Sequence, residues 1–285
     1  MGFKSDEWEL RATGLEQVRW RGHDLILNYA EIAGGTVRVY DVRYHFPDAE
    51  VWAATHEKRG YAVHHDAVVL RDEDKNFNGT TLDESLDRLD VVYRYHLNFN
   101  GERPGEATWN GIGYHRMIDP SGRVFITGGS GTHRAHAKGW DPVAQATWNQ
   151  TFIGYCFMGD HSAGRPPEAA MRAFCEVLQW ETDRRGVSMI LRPHKHLTPD
   201  TACPGSWVGV DAWADVTLRP AAVVADVRHY CPCGMVADHE VPGVGWFCPV
   251  HYPTPEPVSS TAAALAAVEQ AQEALGRAAA ALRGG

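Results

Sequence analysis

Three short stretches of this 285-residue chain carry the side chains best suited to holding a metal ion. His64 and His65 close the apolar run GYAVHH, His194 and His196 follow the run VSMIL in RPHKHL, and Cys203 sits just beyond in TACPG. Imidazole nitrogen and thiolate sulfur are ligands that zinc prefers, and a catalytic zinc site takes three protein ligands while leaving one position open to water. Adjacent residues on a strand point to opposite faces, so only one of His64 and His65 can turn toward a shared ion. His194 and His196 both remain open as the second ligand. A thiolate at Cys203 adds the negative charge that two neutral histidines lack.

Other residues with chemical potential lie outside these stretches. Cys231, Cys233, Cys248 and His251 fall in RHYCPCGMVADHEVPGVGWFCPVHYP, where CPC and CPVH make two arms of a candidate second, structural zinc site. Its first arm is tighter than the usual spacing of such ligands. In DEDKNFNGTTLDE, Asp74, Asn76 and Asn78 before Gly79 imitate a calcium-binding loop, but Ser85 stands where the closing glutamate is required, so a solvated loop is expected. Most of the ten tryptophans belong in a core, with Trp109, Trp140 and Trp207 as candidate sugar-stacking platforms.

Strands alternating with helices are needed to hold the first set together, and the pattern from about residue 60 supplies them. GYAVHH reads as a strand. Leu82, Leu86, Leu89, Tyr93 and His96 share one helical face, and Thr81 with Glu84 makes a capping box at its start. IGYHRMI and RVFITG flank the turn Asp119-Pro120-Ser121-Gly122 as a hairpin, and FIGYCFM is a further strand. After Pro166-Pro167 a second amphipathic helix, with Met171, Phe174, Cys175 and Leu178 inward, runs to Gly186. The order predicts an α/β domain over residues 56–222, a mixed central β-sheet flanked by helices. Residues 1–55 form an N-terminal extension with a β-hairpin around Gly34-Gly35. Residues 226–253 are the small Cys/His-rich, zinc-ribbon-like module, 254–260 a Pro/Ser linker, and 261–285 an alanine-rich C-terminal helix. The stripe Leu265, Val268, Leu275 and Leu282 offers that helix a route to homo-oligomers.

Composition narrows the function classes. A formal charge of -9 with no Lys/Arg cluster argues against nucleic acid as a partner. No apolar run is long enough to span a membrane. MGFKSDEWEL shows no basic stretch leading into an apolar one, so no signal peptide is expected and synthesis would leave the chain in the cytoplasm.

Four segments together resemble the type 2 N-acetylmuramoyl-L-alanine amidases, the fold shared with peptidoglycan recognition proteins and many phage endolysins. They are YAVHHDAV, WNGIGYHRMIDPSGRVFITGG, AHAKGW with WNQTFIGYCFMGD, and HKHLTPDTACPG, in the family's order. The resemblance implies a zinc hydrolase that cuts the amide between N-acetylmuramic acid and L-alanine of peptidoglycan, its metal polarising the lactyl carbonyl and activating water. It assigns His64 as the first metal ligand, His194 as the second, since HKHL aligns with the family's histidine, basic residue, aspartate and leucine, and Cys203 as the third. His196 then stands in the aspartate's place, and the loop to Cys203 differs from the family's by one residue. Tyr114 and Thr201 are implied as catalytic, Tyr114 beside the metal's water and Thr201 at the transition state. The same comparison makes His136 a substrate contact and Asn149 a structural residue. The absence of a readable signal peptide favours a phage endolysin that reaches the cell wall after release, with a non-catalytic peptidoglycan receptor on the same fold as the contrasting reading.

Overall fold

Strands buried along their whole length need cover on both faces, and the run Phe152–Phe157 is of this kind. The computed structural model describes residues 13–67, 77–98, 109–208 and 216–220 and the backbone of 239–241 and 245–247. In chain order its first strands are β1 (Gly14–Trp20), β2 (His23–Ile32), β3 (Val37–Asp41), β4 (Gly60–His65), β5 (Arg116–Ile118) and β6 (Val124–Ile126). The short β7 (Trp140–Asp141) and β8 (Ala146–Thr147) pair only with each other, and β9 (Phe152–Phe157), β10 (Met189–Pro193) and β11 (Thr217–Leu218) follow. Helices are α1 (Leu82–His96), α2 (Trp148–Thr151), α3 (Glu168–Arg185) and α4 (His194–Leu197).

The main sheet has nine strands in the order β1-β2-β3-β6-β5-β9-β4-β10-β11. Its centre, β5-β9-β4-β10, is parallel throughout, whereas β1-β2, β2-β3, β6-β5 and β10-β11 are antiparallel. The mixed sheet with flanking helices is thus the one expected. Alternation sorts its side chains. Ile153, Tyr155 and Phe157 of β9 join Tyr61 and Val63 of β4 against Met171, Phe174 and Leu178 of α3. The intervening Cys156, with Met117 and Phe125, packs toward Leu86, Leu89 and Val92 of α1. His64 shares the face of Cys156, its partner in register, and His65 takes the other.

Local signals set the helix ends. Thr81 accepts from the Glu84 backbone N–H while the Glu84 carboxylate accepts from Thr81 N–H, a reciprocal cap worth about 1 kcal/mol. Gly186 ends α3 at φ 65°, where a side chain would be strained.

The N-terminal hairpin is β2 and β3 around the turn Ala33–Gly35. Two features of it were not foreseen. β1 precedes it as a third antiparallel strand, and β3 pairs in parallel with β6, so these strands prolong the main sheet.

Among the described residues no helix is long and apolar enough to cross a membrane. In the Cys/His-rich module the described backbone is a hairpin of β12 (His239–Val241) and β13 (Gly245–Phe247). Cys231, Cys233, Cys248 and His251, the linker 254–260, the helix 261–285, and Asp74 and Asn76 all lie outside the described residues.

Candidate metal centre

The parallel centre of the sheet brings several strand ends to one edge, the place where open α/β sheets bind ligands. His64 sits at the end of β4, and His194 begins α4 directly after β10, the strand beside β4. Lys195 N–H donates to Cys203 O at 2.9 Å, which folds the TACPG turn back under α4. As a result one ligand atom each from His64, His194 and Cys203 lies within 4.8 Å of the others. The rings of His64 and His194 are 4.4 Å apart, and Cys203 Sγ is 3.9 Å from His64 Nδ1. His196, on the same short helix, is not in the cluster.

Electrostatics suit these groups to a cation. Burial, with His194 and His136 close by, holds the His64 imidazole well below its ordinary pKa, and burial with His65 nearby pushes His194 down to about 4. Both rings are therefore neutral at pH 7 and offer lone pairs. Burial pushes the Cys203 thiol up to about 12, although the His65 backbone N–H donates to its sulfur at 3.3 Å. A buried sulfur beside two neutral imidazoles, with its proton hard to lose, is a site that a divalent cation would complete by displacing that proton. The residues present fit zinc.

Tyr114 lies over the cluster, its ring 5.2 Å from that of His64. Burial, with the Cys156 and Cys203 thiols next, raises its phenol well above the usual value, so it acts as a hydrogen-bond donor. Thr201 is in the Cys203 turn, where its hydroxyl oxygen accepts from Cys203 N–H at 3.2 Å. Behind the ligands, Arg88 of α1 makes a buried ion pair with Asp66, two residues after His64, with Arg88 Nε donating to Asp66 Oδ2 at 3.0 Å.

His136, read from the sequence as a substrate contact, lies against the first candidate ligand. It is 4% exposed, its Nδ1 is 3.2 Å from His64 Nε2, and its Nε2 is 3.1 Å from Phe152 O. Gly154 makes this possible, since a Cβ there would meet His136 Cγ at 2.7 Å. Asn149 is structural, its side-chain oxygen accepting from the backbone N–H groups of His136 and Ala137 at 2.9 and 2.8 Å. Two neighbours escaped sequence reasoning. Cys156 faces the Tyr114 phenol from β9. Lys58, buried with no carboxylate beside it among the described residues, donates to Asn149 O and Phe152 O at 3.0 and 3.3 Å. Nothing in local spacing marks either one.

A cleft of about 230 Å³ does not include the three ligands, but Gly113 and Ala135 in its wall are the chain neighbours of Tyr114 and His136. It is walled by Asp48, Glu50 and Trp52, by Trp109 to Gly113, and by Thr132 to Ala135, with Asn149 beneath. Arg134 clamps Asp48 with two bonds of 2.5 and 2.7 Å, and His133 N–H donates to Trp52 O at 2.7 Å, fixing the N-terminal wall. Trp52 is 48% exposed and its ring lies 5.9 Å from that of His133, while Trp109 stacks on His96 at 4.2 Å. Of the other candidate platforms, Trp140 is 55% exposed on β7. Trp207 instead packs on Phe157 and donates to Pro204 O.

Residues 55–206 match the family described as N-acetylmuramoyl-L-alanine amidase. The chain is 33% identical over 95 residues to a peptidoglycan-recognition protein of Drosophila melanogaster, covering 33% of this chain and 48% of that protein. It is 32% identical over 87 residues to peptidoglycan recognition protein 1 of Bos indicus, covering 30% and 38%. The chain thus spans about half the length, or less, of these curated relatives. Among solved structures it is similar to Drosophila PGRP-LB, at 19% identity and TM-score 0.46 over 59% of this chain and 88% of that one. The Ph2119 endolysin of a Thermus scotoductus bacteriophage matches at 19% identity and TM-score 0.44, over 59% and 92%.

Proposed function

The chain belongs to the N-acetylmuramoyl-L-alanine amidase family, and on that premise we propose that it is a zinc-dependent hydrolase of the amide between N-acetylmuramic acid and L-alanine in peptidoglycan. The observation that carries this reading is the convergence of His64, His194 and Cys203 with the Tyr114 ring beside them.

His64, His194 and Cys203 would hold the ion. A zinc ion bound there supplies a Lewis acid for the scissile carbonyl and lowers the pKa of water toward neutrality. Tyr114, kept protonated by its burial, donates its O–H toward the carbonyl oxygen as negative charge develops. Thr201 offers a second donor from the Cys203 turn. The Asp66–Arg88 pair anchors the chain just after His64 and so limits its movement. Trp52 and Trp109 give the cleft aromatic faces for the glycan, while Glu50 and Asn110 give it polar partners for hydroxyl and acetamido groups.

Two of the relatives are named as recognition proteins, which keeps a non-catalytic peptidoglycan receptor as the contrasting reading. The joint presence of the three ligand groups, Tyr114 and Thr201 favours the enzyme. Incubation with purified peptidoglycan decides between them: the amidase releases new N-terminal L-alanine without new reducing sugar, and Cys203→Ser abolishes this release. Binding to the wall with no released amine in the zinc-loaded protein would establish the receptor instead. In the Cys/His-rich module, a second zinc on Cys231, Cys233, Cys248 and His251 is proposed on sequence spacing, and a count of two zinc ions per chain tests it.

A further inference from the structure

We propose that His136 is a positioning residue whose ring fixes which nitrogen of His64 faces the metal. The proposal rests on the metal reading above and concerns how the first ligand is prepared. A backbone carbonyl can only accept, so His136 Nε2, 3.1 Å from Phe152 O, carries a proton. In the neutral ring Nδ1 is then bare and accepts. Its partner at 3.2 Å is His64 Nε2, which must therefore be the protonated nitrogen of His64. That leaves His64 Nδ1 without a proton, and this is the atom 3.9 Å from Cys203 Sγ. Starting from one main-chain carbonyl, two hydrogen bonds thus select the tautomer of a metal ligand.

The surroundings fix His136 in this role. Asn149 holds its backbone N–H, and Gly154 lets its ring lie on the sheet. The ring of His115 packs 5.5 Å away, itself held by Gly154 N–H donating to its Nδ1 and by Thr132 O facing its Nε2. Lys58 donates to the same Phe152 carbonyl at 3.3 Å, so that oxygen is held from a second side. A ring this enclosed has no free nitrogen for substrate. Partners of this kind orient a ligand and raise its basicity, and their loss weakens metal binding by about 10–100-fold.

The test measures zinc affinity by competition with a chromophoric chelator, in the full chain, for His136→Phe and His136→Asn. Phenylalanine fills the space but cannot accept from His64, so its zinc dissociation constant should rise about 10–100-fold. Asparagine can place its side-chain oxygen near the site of Nδ1 and should recover most of the loss. Nitrogen-15 spectra of the metal-free wild type should show both His64 and His136 protonated at Nε2. A His136→Phe protein that binds zinc as tightly as wild type overturns the proposal, as does His64 protonated at Nδ1. So does a variant whose only defect is a higher KM for a muropeptide, because that is the signature of a substrate contact. Should His136→Phe fail to fold, the tautomer spectra and His136→Asn still decide. Zinc affinity and the tautomer spectra need no hydrolysis, so a protein that binds zinc but cleaves nothing sinks the amidase reading alone. Wild type that binds no zinc overturns both.

Discussion

The sulfur of Cys203 accepts a hydrogen bond at 3.3 Å from the backbone N–H of His65, the residue next to the first candidate ligand. The two ends of the metal centre are thereby tied together by main chain, before any ion is considered. The bond favours thiolate, yet burial dominates and leaves the metal-free thiol at about 12, while His194 stands at about 4. Between those values zinc binding must displace one proton from Cys203. Zinc affinity should therefore rise about tenfold per pH unit between about pH 5 and pH 8. Titration calorimetry in buffers of different ionisation enthalpy counts that proton, and a count of zero would contradict Cys203 as a ligand.

Acid should unfold the metal-free protein through its histidines. Burial holds His64, His115 and His136 well below their ordinary pKa and His194 at about 4, against a usual 6.5. Because the unfolded chain binds these protons first, their contribution to stability is complete above about pH 6.5 and is lost as pH falls toward 4. Thermal melts in chelator should show Tm dropping across that window. A Tm that is flat or rises on acidification would contradict burial of four neutral rings.

Tyr114→Phe removes only a hydroxyl. If that hydroxyl stabilises developing charge, kcat should fall about 10²–10³-fold, with zinc content unchanged. Normal turnover in the zinc-loaded variant would return Tyr114 to a packing role.

Trp52 tests the cleft separately from the chemistry. Trp52→Ala should raise KM for glycan-bearing substrate about threefold to tenfold, with Trp52→Phe recovering part of it, and leave kcat and zinc content alone. An unchanged KM would place the glycan elsewhere.

Much of the framework was legible because its signals are local. The capping box Thr81–Glu84, the αL glycine at 186, the turn 119–122 and the apolar run of β9 each act over a few residues, and the structure has them all. Stretches 64–65, 194–196 and 203 were singled out by residue type, and the sheet brings one member of each together. What local pattern could not show is distance in three dimensions. His136 lies 72 residues from His64 in sequence, and its burial against it depends on the parallel register of β4 with β9 and on Gly154. Cys156 looked like any strand residue until Tyr114 was seen above it. β1 pairs with β2 across the two-residue turn Arg21-Gly22, a local signal that went unread, whereas the joining of β3 to β6 depends on pairing across a long stretch of chain.

That last pairing also orders events in time. The meander β1-β2-β3 is complete at Asp41, but the strand that β3 pairs with begins at Val124, so residues 42–123 must be synthesised before the meander can dock. Until then Val39 and Tyr40, each about 1% exposed in the finished protein, remain open to water and to other chains. Helix α1 and the β5–β6 hairpin close locally and form fast, whereas this closure is slow because its loop is long. Val39 is covered only later still, because the cluster that buries it includes residues of β9 and α3, so the meander's inner face stays open from the making of β3 until α3 has been made.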